Sequence, residues 1–297
     1  MKIMILVNKD FEYAGYRAGI EKLMMLNKIP DLKMVSRDWS VGPSKNRPSC
    51  IYKLGKHIIR EFCISYLFDA GESTSNSQKK LDLVMNLIDE ESPDYIISVS
   101  TSESTPCKED RKRSFNGCIF MGTKFFAKDC RKLDSATQSH LYVPEGWCVQ
   151  NSSICANFFD IVNKKSKNIA DGMEAVPHHP ANKLTIFANT EYVSLGIINV
   201  MDYSCYEKAD PETYNEFKNN YSSEGEPVCL ETTHAVVKMA AGQIPVLFVS
   251  PIVDRYNQFK HDVDNTWGNQ NAIGSYNAGI VVANMLEILK DKLKDKL

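Results

Sequence analysis

Three acidic side chains stand where the chain can assemble proton-transfer chemistry: Glu12, Glu231 and Asp254, each placed after a separate apolar run. A protonated carboxyl donates a proton to a leaving group, while an ionised one orients water, accepts from hydroxyls or stabilises a developing cation. Each alone also has a plainer role, because a carboxylate after a strand caps a helix or forms a turn, and Glu231 opens an apolar helix whose dipole favours it. A parallel sheet that brings all three to one rim changes that balance. Other chemistries find less support. His178 and His179 have no third ligand at regular spacing, so no metal is expected. Cys229 has no evident histidine base and reads as a buried strand thiol. The nine cysteines include no C-x-x-C pair, which excludes a zinc ribbon or a disulfide scaffold. No cofactor is implied.

The elements that must position these acids are legible as apolar runs. Lys2 to Val7 is continuously apolar after its lysine, the pattern of a strand covered on both faces, and similar runs recur at Tyr95–Val99, Gly117–Met121, Leu184–Ala188, Leu195–Met201 and Ile244–Val249. Helical periodicity marks Gln78–Glu90, Glu231–Ala241 ending at Gly242, and Ser275–Leu293. Strands alternating with helices predict a layered α/β fold, and ligands of such sheets collect beyond the carboxyl ends of the strands. The stretches Trp39–Cys50 and Ser100–Asn116 read as loops. With 297 residues, 35 basic against 37 acidic and a net charge of −2, the chain offers no overall attraction to nucleic acid or to an anionic membrane. A small-molecule partner is expected. The start reads as a strand rather than a signal peptide, and no apolar run approaches the roughly 18 residues of a membrane span, so a cytoplasmic protein with reduced thiols is expected.

Four stretches carry a resemblance to a known family. They are Met1-Lys2-Ile3 with its strand and Glu12; Val228-Cys229-Leu230-Glu231-Thr232-Thr233; Ile244-Pro245-Val246 running to Val253-Asp254; and Leu195 to Tyr203 with Asp202 at its end. Together they resemble the nucleoside phosphorylase and nucleosidase superfamily, especially its methylthioadenosine/S-adenosylhomocysteine nucleosidase branch, and Glu231, Pro245 and Asp254 match its spacing without a gap. The resemblance implies a three-layer α/β/α fold, a twisted mixed central sheet flanked by helices. It implies one domain over residues 1–297, with an insertion within about 102–184, and a homodimer or larger homo-oligomer.

By the same resemblance, Asp254 delivers a proton to a purine, Glu231 binds the ribose hydroxyls and Glu12 activates water. Leu230 stands where the family has methionine. Asp202, Tyr203, Ser100 and Thr101 complete the substrate-binding set, Tyr203 being the best-placed base clamp ahead of Phe158 and Phe159. The turn Ser98–Thr105 departs from the family by lacking glycine. The implied activity is hydrolysis of the N-ribosidic bond of an adenosine-type nucleoside. Two alternatives stay open. Arg17, Arg111 and Arg113 are candidates for binding phosphate, which suits an AMP- or ATP-type nucleosidase or a phosphate-dependent phosphorylase; the altered turn suits a non-catalytic nucleoside-binding protein.

Overall fold

The run Lys2–Val7 (β1) lies at the centre of the molecule, and its side chains divide between two cores. Ile3, Ile5 and Val7 face one apolar cluster, Met4 and Leu6 another, as the two-residue period of a strand requires. The first cluster is closed by helices α1 (Asp10–Met25), α3 (Ser152–Ala170) and α7 (Asn269–Lys294), the second by α2 (Ser77–Glu91) and α5 (His234–Ala241). This makes three layers, helix on sheet on helix. The computed structural model describes residues 1–38, 49–74, 76–106, 114–129, 139–142, 152–198, 206–263 and 269–294.

The remaining strands are β2 (Leu32–Asp38), β3 (Ser49–Leu54), β4 (His57–Cys63), β5 (Tyr95–Val99), β6 (Ser102–Ser104), β7 (Ile119–Gly122), β8 (Lys124–Asp129), β9 (Ser139–Tyr142), β10 (Ile186–Ala188), β11 (Tyr192–Ile198), β12 (Glu226–Glu231) and β13 (Val246–Asp254). Two further helices are α4 (Tyr206–Asn220) and α6 (Phe259–Asp262). The sheet runs in the order β2-β3-β4-β1-β5-β13-β6-β12-β11-β8-β9, with β7 and β10 branching from β13. It is mixed: β4, β1, β5 and β13 are parallel neighbours, while β6 pairs antiparallel with β12. A third apolar cluster, with Phe126, Leu195 and Ile197 against Phe217 of α4, covers the far end.

Several expected boundaries move. The run Leu195–Met201 is strand only to Ile198 and begins at Tyr192, and residues 199–205 lie outside the described part. Strand β13 continues past Val249 to Asp254 because its second half leaves β5 and pairs with β6. Glu231 does not open a helix: it ends β12, opposite Gly196 of β11, and α5 starts at His234. The expected loop after β5 contains β6, a three-residue strand of buried polar side chains that hydropathy does not mark. The segment 102–184 supplies β6 to β9 and α3.

Helix α7 contains one stretch, Asn269–Lys290, long and apolar enough to cross a membrane, but 72% of that apolar window is buried. Its apolarity belongs to the core. It packs very closely on α1: a Cβ at Gly279 would lie 1.9 Å from the Tyr16 carbonyl oxygen, and one at Gly19 would lie 2.2 Å from that of Tyr276. These glycines let two backbones approach where any side chain would separate them.

Candidate active site

A cavity of about 410 Å³ opens where β1, β5, β11, β12 and β13 end. Its size suits a nucleoside-sized ligand. Glu12, Ser100, Thr101, Leu230, Glu231 and Asp254, chosen from separate stretches of sequence, all line it.

Glu12 sits in the first turn of α1, directly after β1, and is buried. Its Oε2 accepts the Lys9 N–H at 3.0 Å; its Oε1 accepts both the N–H of Thr101, at 3.2 Å, and its hydroxyl. Burial raises its pKa, and these donors hold it back. Each carboxylate oxygen accepts about two hydrogen bonds, so Oε2 retains one acceptor position.

Glu231 is held from the other side. Its Oε2 accepts the N–H groups of Thr233 and His234, the second at 2.6 Å, and its Oε1 accepts the Ser194 hydroxyl at 3.1 Å. A carboxylate at the opening of α5 meets unpaired backbone donors there, which fixes its plane. Burial again raises its pKa first, with these donors and Lys80 opposing. Oε1 keeps one acceptor position.

Lys80, absent from the sequence-based set, joins these two acids. It is only 2% exposed, and its Nζ donates to Asn8 Oδ1 and Thr233 Oγ1 at 3.2 Å and to the Thr232 carbonyl at 3.4 Å. Burial and the neighbouring Lys9 lower its pKa to about 8, against the attraction of Glu231 and Glu12. Its charge favours the ionised form of buried Glu231, as that of Lys9 does for Glu12.

In the same cavity Asp254 ends β13, buried and paired with Glu103 of β6. Asp210 of α4 completes a cluster of three carboxyls. Burial raises the pKa of Asp254 well above the ordinary aspartate value, and the negative charges of Asp210 and Asp262 add to this. Arg255, next in sequence, is turned away: its Nε and Nη2 reach Asp262 at 3.0 and 2.9 Å. Ile197, Leu230 and Val253, with the rings of Phe11 and Phe259, supply apolar lining to the same cavity.

Other expected residues stand elsewhere. Arg17 does not reach the cavity; its guanidinium pairs with Glu21 and with buried Glu61, and its charge is matched there. Phe158 and Phe159 belong to the core beside α7, not to the base site. Asp202, Tyr203, Arg111 and Arg113 lie outside the described residues. His234 is a buried neutral ring between the hydroxyls of Ser98 and Ser250, at 2.7 and 2.9 Å, its pKa lowered to about 3 by burial first and then by Lys80. Cys229 is fully buried in β12. Among the described residues no group of His, Cys, Asp or Glu side chains is arranged to hold a metal ion.

No family model matches the sequence, and no curated protein matches it either. Solved structures do match along the whole chain. The 5′-methylthioadenosine nucleosidase of Arabidopsis thaliana superposes with a TM-score of 0.55 over 96% of this chain and 95% of its own, at 15% identity. The chain has the fold of the methylthioadenosine nucleosidases. The nucleosidase of Colwellia psychrerythraea, solved with adenine, gives a TM-score of 0.53 at 13% identity over 97% of this chain and 96% of its own. A futalosine hydrolase of Helicobacter pylori gives 0.53 at 11% identity over 98% and 99%. The nucleosidase fold therefore extends over nearly the entire length, with a mixed sheet and helices on both sides.

Proposed function

We propose that the protein is a purine nucleosidase that hydrolyses the N-ribosidic bond of an adenosine-type nucleoside. The observation that carries this reading is the meeting of Glu12, Glu231 and Asp254 in one cavity at the strand ends of a nucleosidase fold. Breaking such a bond calls for a proton on the departing base, relief of positive charge at the sugar and a nucleophile on the opposite face. Asp254, kept protonated by burial and by neighbouring acids, supplies the proton. Glu231, ionised beside Lys80, accepts from the ribose hydroxyls through its remaining Oε1 position and stabilises the developing cation. Glu12 uses its remaining Oε2 position to orient and deprotonate water.

Water is favoured over phosphate by the way the cavity's cations are engaged. Lys80 donates to three protein acceptors and Lys9 Nζ to the Thr74 hydroxyl, while Arg17 is paired outside the cavity. Lys9 and Lys80 nevertheless give the Glu12 end a positive component, which favours a second reading in which the 5′ group is anionic. Incubation with adenosine, 5′-methylthioadenosine and AMP in phosphate-free buffer, followed by chromatography of free adenine, separates these readings. Adenine release that needs no phosphate and disappears in Asp254→Asn is expected. Preference for AMP identifies a nucleotide nucleosidase, and dependence on added phosphate identifies a phosphorylase.

A further inference from the structure

The acid end of the cavity holds more carboxyls than the proposed reaction uses. Glu103 and Asp254 are paired on adjacent parallel strands, directly after a shift in their register, and Asp210 approaches from α4. The Glu103 carboxyl lies against those of Asp210 and Asp254 and beside the backbone of Asn257. Yet its Oε1, in a side chain 93% buried on the cavity wall, has no N–H or protein hydroxyl donor.

Ionised carboxylates are acceptors only, so three of them in mutual contact are satisfied only by protons held between them. The charged groups around them do not offer an alternative. Asp254 faces Glu103 from β6, Asp210 from α4 and Asp262 from α6; Tyr256 and Tyr214 border the same cluster; Arg255 is bound to Asp262. Lys80 bonds to Asn8, Thr232 and Thr233 and Lys9 to Thr74, close to Glu12 and Glu231. We infer that Glu103 and Asp210 are positioning residues for Asp254, the three carboxyls forming one hydrogen-bonded chain, Asp210–Glu103–Asp254, that holds the general acid in its protonated form.

This rests on the nucleosidase reading for its consequence in catalysis, though the chain of carboxyls can be tested without it. As the C1′–N bond breaks, its electron pair leaves with the base, which takes the Asp254 proton. Glu103 then returns a proton to Asp254 and receives one from Asp210. Water adds its hydroxyl to C1′ and gives its proton to Glu12, and exchange with solvent restores both ends. Two-electron redox chemistry and metal ions are not needed for the balance.

The test is the pH dependence of kcat for adenine release in the full-length protein, Glu103→Gln and Asp210→Asn. Asp210→Asn removes a like charge that raises the Asp254 pKa, and Glu103→Gln sets an amide N–H donor against Asp254 that favours its ionised form, so in either variant the alkaline limb should move down by about one pH unit or more, about a tenfold loss of kcat at pH 7.5. At pH 5 the variant should recover to within about threefold of the original, with KM changed less than about threefold throughout. Lys80 and the tyrosines are unchanged in both variants and do not produce such a displacement. An equal loss at every pH with the limb unmoved, or activity abolished by EDTA, overturns the proposal. Infrared difference spectra provide the readout independent of activity: a protonated-carboxyl stretch present at pH 7.5 and diminished in Glu103→Gln is expected, and its absence from the original protein overturns the chain of carboxyls. Asp210→Asn carries the same tests should Glu103→Gln fail to fold. If no nucleoside or nucleotide is cleaved but the stretch is present, the nucleosidase reading fails and the carboxyl chain stands.

Discussion

Lys80 shows how one side chain sets the charge state of its neighbours. Replaced by Met, it leaves buried Glu231 without its cation, and that acid becomes harder to ionise, while Glu12 keeps Lys9. We expect kcat/KM for adenine release to fall about 10- to 100-fold in Lys80→Met, with a lower melting temperature; unchanged kinetics would remove Lys80 from this role. Glu12, Glu231 and Asp254 were legible in the sequence because each stands at or just beyond the end of an apolar run. Lys80 left a fainter sign, lying on the same stripe of α2 as Val84, Leu87 and Ile88, so that a lysine occupies an apolar face. Asp210 is similarly placed next to the buried stripe Ala209, Thr213 and Phe217 of α4. Glu103 left none, because a three-residue strand of Ser-Glu-Ser has no hydrophobic period, and only its register with Asp254 reveals it.

At the scale of elements, the position of Glu12 depends on the close crossing of α1 and α7. A methyl group at Gly279 meets the Tyr16 carbonyl at 1.9 Å, so the helices must part. Backbone offers no flexible end to move aside, and overpacking of this kind costs about 1–3 kcal/mol or more. Gly279→Ala is expected to lower the denaturation midpoint by that amount and to reduce kcat/KM by moving Glu12 away from Thr101. A variant as stable and active as the original would show that the crossing tolerates separation. The helices and strands with long apolar periods were readable, whereas this crossing was not, since its glycines acquire meaning only when the two backbones are in contact. The boundary between β12 and α5 was misplaced for a related reason: Glu231 is polar, yet the pairing of β12 with β11 carries the strand through it.

Across the whole molecule, buried acids tie stability to pH. Glu61 is fully buried beneath α1, accepts from the Tyr52 and Tyr13 hydroxyls at 3.0 and 3.3 Å, and has its pKa raised to about 7, chiefly by burial against the pull of Arg17. Between the ordinary value of 4.5 and about 7 the folded state binds the proton more tightly than the unfolded chain, so this contribution is present below that window and is lost as pH rises through it. The loss amounts to at most about 3 kcal/mol. Buried neutral His234 works in the opposite direction below its ordinary value, which is why a comparison with Glu61→Gln is needed. From pH 5 to pH 8 the original protein should lose stability relative to Glu61→Gln; a difference independent of pH would contradict the assignment. The three-layer architecture itself was readable from runs such as Lys2–Val7, because a strand buried on both faces needs no polar alternation.

The central claim is that three acids from separate elements make one hydrolytic site, and release of adenine in phosphate-free buffer tests it most directly. Free adenine is expected from adenosine or 5′-methylthioadenosine without added phosphate, with a loss of about a hundredfold or more in kcat for Asp254→Asn, as follows when a general acid is removed. No adenine from either nucleoside or from AMP, or release undiminished in Asp254→Asn, would contradict it.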